Sequence, residues 1–291
     1  MRPETPFEEK ILRVHVRLQM PRPETQSTPE TLAVRPPRIL VLGCGGTGGW
    51  AIPHLARLVK SLGVGSLAIA DGDVVESKNL GRQNFVATDL GENKAIALAR
   101  RYSGAFGIPI RAIPGMLEDV RGLSRQAPNL IVGCVDSHTA RRTIAEYMAQ
   151  SYECCWIDAG NEAVAGQVIL GYTGPPYRAG IRAGGPIEVA LPTVSQLVPL
   201  PLGGEGRPSC AELQEVTQQV STVNVMAAAL IANFVRLVLE DVKRGLLREP
   251  VRGLDYHGVY FNVGNGGFRT LWNTPETLAK ARNPLCPWQA Q

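Results

Sequence analysis

The chain has 291 residues, 44% of them hydrophobic, six cysteines and a formal charge of only +4. That is apolar material for one large domain or two small ones, and a charge too thinly spread for a nucleic-acid or lipid surface. No charged-then-apolar leader opens the sequence, the apolar stretch 225–235 is too short to span a bilayer, and the cysteines lack disulfide-framework spacing, so a cytoplasmic protein is expected.

Residues 1–36 read as an arm punctuated by proline. Within it Leu12, Val14, Val16, Leu18 and Met20 alternate with polar residues. That is the period of a strand with one buried face, free to add to a sheet edge of its own subunit or of a partner; the alternative is a partly ordered arm. The body begins at about residue 37, with the apolar run Ile39–Leu42 as a central strand. A glycine loop follows (Gly43, Gly45, Gly46, Gly48), then a helix over about 49–61. Residues 66–70 are the next predicted strand, ending at Asp71. A helix is predicted over 92–106 with Ala95, Ile96, Leu98 and Ala99 inward, then strands over 108–113 and 130–134 and a helix over 139–150. Beyond Cys155 the pattern gives strands over 156–159 and 164–172, a long loop over about 173–209, a long helix opening at Cys210, and a closing hairpin around residues 264–267. The expected fold class is α/β: a doubly wound, mostly parallel Rossmann-like sheet continued by antiparallel strands, with helices on both faces.

Strand, glycine loop and helix in that order point to a bound nucleotide. Gly43 permits the tight turn, Gly45 and Gly46 let a phosphate approach the backbone, and Gly48 lets helix and strand pack. Asp71 is placed to accept hydrogen bonds from ribose hydroxyls. Asp73 and Asn79 belong near the same mouth. Arg82 offers a planar fork to phosphate oxygens, with Gln83 beside it, and Lys94 adds a second positive charge. Asp136 sits past the end of a buried strand, where a carboxylate facing phosphates suits Mg2+. A dehydrogenase has no need for this polar set; an enzyme that splits ATP does.

These residues, in the order Gly43-x-Gly45-Gly46-x-Gly48, Asp71-x-Asp73, Asn79-Leu80-x-Arg82-Gln83, Gly91-x-x-Lys94 and Cys134-x-Asp136 followed by Arg141, resemble the ThiF/MoeB/HesA superfamily, which includes the ubiquitin-activating enzymes. The likeness covers about residues 38–142 and continues more weakly beyond, where Glu212, Gln219 and Asn224 are similar to the short ThiF-type proteins of the bacterial PRTRC gene system. It implies that 37–291 is an adenylation domain with a crossover loop at about 173–209. It also implies that ATP and Mg2+ serve to adenylate the C-terminal carboxylate of a small ubiquitin-like or sulfur-carrier-like protein with a glycine-rich tail. Asp71 then holds ribose, Arg82 and Lys94 the phosphates, and Asp136 the magnesium. The segment around Cys210 resembles the one in which some members carry a thiol that accepts the acyl group; a structural cysteine is the alternative.

The resemblance further implies a homodimer through the apolar helix 223–239, with Arg13 or Arg17 reaching across it, and a conjugating partner or metalloprotease encoded nearby. One departure is the zinc-binding pair of C-x-x-C motifs. The chain reads Pro176-Tyr177-Arg178-Ala179 and Cys286-Pro287-Trp288-Gln289 there, so no zinc site is expected. A peptide or tRNA-borne carboxylate as substrate, a catalytically silent nucleotide-binding scaffold and a nicotinamide enzyme stay open.

Overall fold

The computed structural model describes residues 11–18, 37–117, 119–174, 189–198 and 220–281. The body is one eight-stranded sheet in the order β3-β2-β1-β4-β5-β6-β7-β8. The strands are β1 (Arg38–Leu42), β2 (Ser66–Ala70), β3 (Ile110–Ile113), β4 (Leu130–Gly133), β5 (Cys155–Asn161), β6 (Ala165–Tyr172), β7 (Tyr256–Asn262) and β8 (Gly267–Trp272). Strands β1 to β5 pair in parallel, and β5 to β8 continue antiparallel. The expected fold class is therefore observed.

The central strands β1 and β4 are buried on both faces, and their residues alternate between two apolar layers. Ile39, Val41, Leu130 and Val132 face one layer; Leu40, Leu42 and Ile131 face the other. Helices α1 (Gly46–Leu62), α2 (Lys94–Phe106) and α6 (Ser221–Leu246) fill the first layer. Helices α3 (Val120–Gln126), α4 (His138–Ala149) and the single turn α5 (Val194–Leu197) cover the second, and α7 (Pro275–Leu278) follows the last strand.

The local chemistry sets these bounds. Gly63 and Gly107 end α1 and α2 in the left-handed region, the usual glycine stop. The Asn93 side chain accepts from the Ala95 and Ile96 N–H groups and starts α2 two residues later than the sequence pattern suggests. Ile96 is exposed, and Ala97 takes its expected place inside. Helix α3 is absent from the sequence reading because a seven-residue helix gives too few turns for a 3.6-residue period to show.

The segment predicted as a loop over about 173–209 contains α5, and Leu191 bridges Tyr172. Helix α6 runs longer than its apolar stretch. At 26 residues it is long and apolar enough, by length and composition, to cross a membrane, yet it packs Val223, Ala227, Ile231, Phe234 and Val238 onto α1, β5 and β6.

Residues 11–18 keep the predicted alternation, with Val14, Val16 and Leu18 buried in the first layer. They form a single antiparallel bridge, Val14 to Leu254, rather than a strand, and it lies on their own subunit. Tyr172 Oη accepts from the Arg17 N–H and donates to the Arg17 carbonyl. Arg13 pairs with Asp255 at 3.0 Å and Arg17 with Glu153 at 3.6 Å.

Candidate functional site

At the C-terminal edge of the parallel strands lies a cavity of about 750 Å³. The turns after β1, β2, β3 and β4 reach it, together with Ala159 and Asn161 at the end of β5, as expected where helices leave a doubly wound sheet on both faces.

The loop after β1 is built for close approach. Gly43 has φ +89°, and a Cβ there would strike the Cys134 carbonyl. A Cβ at Gly48 would collide with the Gly43 carbonyl, so Gly48 is what lets α1 begin tight against β1. Gly48 does not line the cavity, and its place is in packing rather than ligand contact. Gly43, Gly45 and Gly46 do line it. The first turn of α1, whose N–H groups lack intrahelical acceptors, starts there.

Asp71 is locked to this loop. Its Oδ2 accepts from the Cys44 N–H at 2.6 Å and its Oδ1 from the Asp73 N–H at 2.8 Å. Burial pushes its carboxyl above the ordinary range, against the pull of those two bonds and of Lys94. Lys94, at the first position of α2, has its side chain 9% exposed and its Nζ 2.8 Å from Asp73 Oδ2. Asn93 Nδ2 donates to the Asp71 and Asp73 carbonyls, tying the start of α2 to the end of β2.

Arg82 and Gln83 line the cavity from the next turn, with Gln83 over the open side of Gly45. Asn79 does not line it. Its Oδ1 accepts from the Glu76 N–H at 2.8 Å and its carbonyl from the Arg82 and Gln83 N–H groups, so it shapes the turn that carries both. A residue facing the mouth in sequence is here folded inward by its own capping bond.

Asp136 is exposed on the cavity rim, one residue before Ser137, which caps α4 by accepting from the Ala140 N–H. Among the described residues no group of three or more His, Cys, Asp or Glu side chains could hold a metal ion. Asp136 would thus supply one carboxylate to magnesium and leave the other positions to phosphate oxygens and water. Cys210, and positions 176–179 and 286–289, lie outside the described residues. Neither Arg13 nor Arg17 lines the cavity of its own subunit.

Sequence reasoning gave three parts of the wall no role, although Arg141 and Asn224 were among the residues that carry the resemblance. Arg141 is a buried cation whose Nε lies 3.1 Å from Asp158 Oδ1 and whose Nη2 donates to the Ala159 carbonyl. Met116 and Leu117, after β3, give the cavity an apolar end. Thr47, Asn161 and Asn224 form a hydrogen-bonded trio at the opposite side. Arg141 had a local signal in its spacing from Asp136, and Asn224 only its place in the weaker C-terminal likeness; Met116, Leu117, Thr47 and Asn161 had none.

The residues suit a nucleotide. A glycine-lined cradle opens beside Arg82 and Lys94, and Gln83 Oε1 is buried over it with no hydrogen-bond partner among the described residues. Loop, sheet edge and charges together define a doubly wound α/β protein of nucleotide-binding architecture. The chain belongs to the ThiF family, whose model matches residues 19–258.

It is 34% identical over 76 residues to the ATP-dependent ubiquitin transferase-like protein Cap2 of Escherichia coli (strain TW11681), covering 26% of this chain and 13% of Cap2. It is 30% identical over 166 residues to the adenylyltransferase and sulfurtransferase UBA4 of Saccharomyces cerevisiae (strain YJM789), covering 55% of this chain and 37% of UBA4. The chain thus spans well under half the length of these curated relatives. The fold matches MccB, solved for E. coli MccB with ATP (18% identity, TM-score 0.51, 86% of this chain and 65% of MccB). It also matches MccB in complex with N-formylated MccA (20% identity, TM-score 0.54, 86% and 66%).

Proposed function

We propose that this protein uses ATP to adenylate a carboxylate, and that the carboxylate ends a small ubiquitin-like or sulfur-carrier-like protein with a glycine-rich tail. The observation that carries the reading is the convergence of the glycine loop, Asp71, Arg82, Lys94 and Asp136 on one cavity. Family membership and the names of the relatives, an adenylyltransferase and an ATP-dependent ubiquitin transferase-like protein, support it.

In this reading Met116 and Leu117 flank the base. Asp71 takes ribose hydroxyls on the carboxylate lone pairs left over from Cys44 and Asp73. The substrate carboxylate attacks the α-phosphorus of ATP. An acyl–O–P bond forms, the bond to the β-phosphate breaks, and pyrophosphate leaves with the electron pair. Arg82 and Lys94 offset the charge on the departing phosphates, and Asp136 would hold a Mg2+ ion, which would supply further neutralisation of phosphate charge. A second step to Cys210, a homodimer through α6, a cytoplasmic location and a conjugating partner or metalloprotease encoded nearby belong to the same proposal.

The test is pyrophosphate exchange into ATP with purified glycine-tailed carrier candidates, free peptides and tRNA. Exchange that needs the carrier and is lost in Arg82→Ala and Asp136→Ala is expected. Exchange unchanged in both variants would sink the site assignment. Mass spectrometry of the protein after incubation with ATP and carrier decides Cys210: an unmodified thiol beside newly formed adenylate removes it from the mechanism.

A further inference from the structure

Arg141 stands in the first turn of α4, lines the cavity and has its side chain 10% exposed. Nε and Nη2 are spent on β5. Nε donates to Asp158, at 3.1 Å to Oδ1 and 3.3 Å to Oδ2, and Nη2 donates to the Ala159 carbonyl at 3.2 Å. Bonds from two nitrogens of one planar group fix both its plane and its direction. Every hydrogen on a guanidinium is a donor, so no flip of the group exchanges a donor for an acceptor. The remaining nitrogen, Nη1, has no acceptor among the described residues. Nor is it one of the buried polar atoms left without a partner, so it meets open space. The open space that Arg141 borders is the cavity.

The strand order sets where this donor stands. Ala70, Leu42, Gly133 and Asp158 lie on one register line across β2, β1, β4 and β5. Asp71 and the anchors of Arg141 are therefore three strand spacings apart, about 14 Å. The cavity changes character along that line. Asp71, Arg82 and Lys94 make its β2 side ionic, while Thr47, Ala159, Asn161 and Asn224 make its β5 side neutral. Arg141 keeps to this pattern, because Asp158 offsets its charge. A guanidinium already paired with a carboxylate adds little net attraction for a phosphate but keeps its remaining donors, and that suits an uncharged acceptor. On a peptide the uncharged acceptor present at every residue is the main-chain carbonyl.

We propose that Arg141 binds the acyl substrate: Nη1 donates to a main-chain carbonyl oxygen close to the C-terminus of a peptide tail, which enters from the β5 side and meets the nucleotide at the glycine loop. The proposal rests on reading the cavity as an adenylation site, and it names what this side of the site recognises, an extended main chain rather than a bare carboxylate.

The test uses two stable mimics of an acyl-adenylate, adenosine 5′-sulfamate acylated with acetic acid and adenosine 5′-sulfamate acylated with N-acetylglycylglycine. They share the nucleoside and differ in the main-chain carbonyls of the tail. Each is titrated calorimetrically into the full chain, into Arg141→Lys, and into the double variant Arg141→Met with Asp158→Leu, with thermal unfolding of all three proteins. The lysine keeps a cation for Asp158 and removes the donors at Nη1; the double variant removes the donors and leaves no orphan charge. Wild type is expected to bind the tailed probe about tenfold tighter than the acetyl probe. That preference is expected to fall to within about twofold of unity in both variants, while affinity for the acetyl probe changes by less than about threefold. A preference undiminished in the variants overturns the proposal. So does an equal loss of affinity for both probes, which would place Arg141 on the nucleotide. If Arg141→Lys fails to fold, the double variant decides. Equal wild-type affinity for the two probes overturns the proposal whatever the variants do. Wild-type protein that binds neither probe refutes the adenylation reading itself.

Discussion

Arg141 in the cavity wall and Asp158 behind it form an ion pair, 3.1 Å apart, with the Asp158 side chain 1% exposed. Burial pushes the Asp158 carboxyl above its ordinary range while the Arg141 charge pulls it back. The pair ties the first turn of α4 to β5, and so fixes the short loop that carries Asp136. Removing one partner leaves the other charge buried and unpaired. Asp158→Ala is expected to destabilise the fold by about 3–5 kcal/mol. The double variant Arg141→Met with Asp158→Leu is expected to recover most of that loss, because no orphan charge remains. Urea unfolding of the three proteins measures it, and a double variant no more stable than Asp158→Ala refutes the ion-pair account.

The hydroxyl of Tyr172 serves both backbone groups of Arg17, at 3.2 Å and 2.8 Å. It acts as the missing strand partner for a segment that makes only one bridge of its own. Tyr172→Phe orphans one N–H and one carbonyl at once. The expected loss is about 1–3 kcal/mol, concentrated in residues 11–18. Hydrogen exchange should quicken at Val14 and Val16 while the amides of β1 and β4 keep wild-type protection. Uniform loss of protection across the sheet would count against a local role.

What the sequence made legible was local. The run from Ile39 through the glycine loop to Asp71, and on to Arg82 and Lys94, reads as strand, turn, helix and strand because each signal sits within a few residues of its effect. The closing hairpin of the antiparallel half followed from the glycine-rich turn at 264–267.

What stayed hidden depends on partners far along the chain. Thr47 and Asn224 stand 177 residues apart and meet only because α6 packs across α1. Asp158 looks like any strand residue until Arg141 arrives from α4. Asn79 shows the converse error. Its neighbours Arg82 and Gln83 do face the cavity, but its own side chain is spent on the Glu76 N–H. Position in a motif fixed the segment and left side-chain direction undetermined.

His257 supplies the pH dependence. It is fully buried in β7, with Nδ1 2.6 Å from Asn273 Oδ1. Asn273 Nδ2 donates to the Leu254 carbonyl, so Oδ1 is the atom that faces the ring, and Nδ1 carries the hydrogen. Nε2 is then a bare acceptor with no hydrogen-bond partner among the described residues. Burial lowers the pKa to about 4 from 6.5, and the bond to Asn273 only partly opposes this. Above pH 6.5 neither the folded nor the unfolded imidazole binds a proton, and the group leaves stability independent of pH. Between 6.5 and about 4 the unfolded chain takes up a proton that the folded chain refuses, so stability falls as pH falls. The slope is at most about 1.4 kcal/mol per pH unit, a total of about 3 kcal/mol across the window. Below about 4 both states are protonated and the loss is complete. His257→Gln keeps a donor toward Asn273 and has no proton to bind. Urea unfolding at pH 7, 6, 5 and 4.5 is expected to show the variant losing less stability than wild type with each step. The difference should open below about pH 6.5, beyond what the carboxylates common to both proteins contribute. Parallel curves would show that the buried imidazole takes up its proton as readily in the fold as in the unfolded chain.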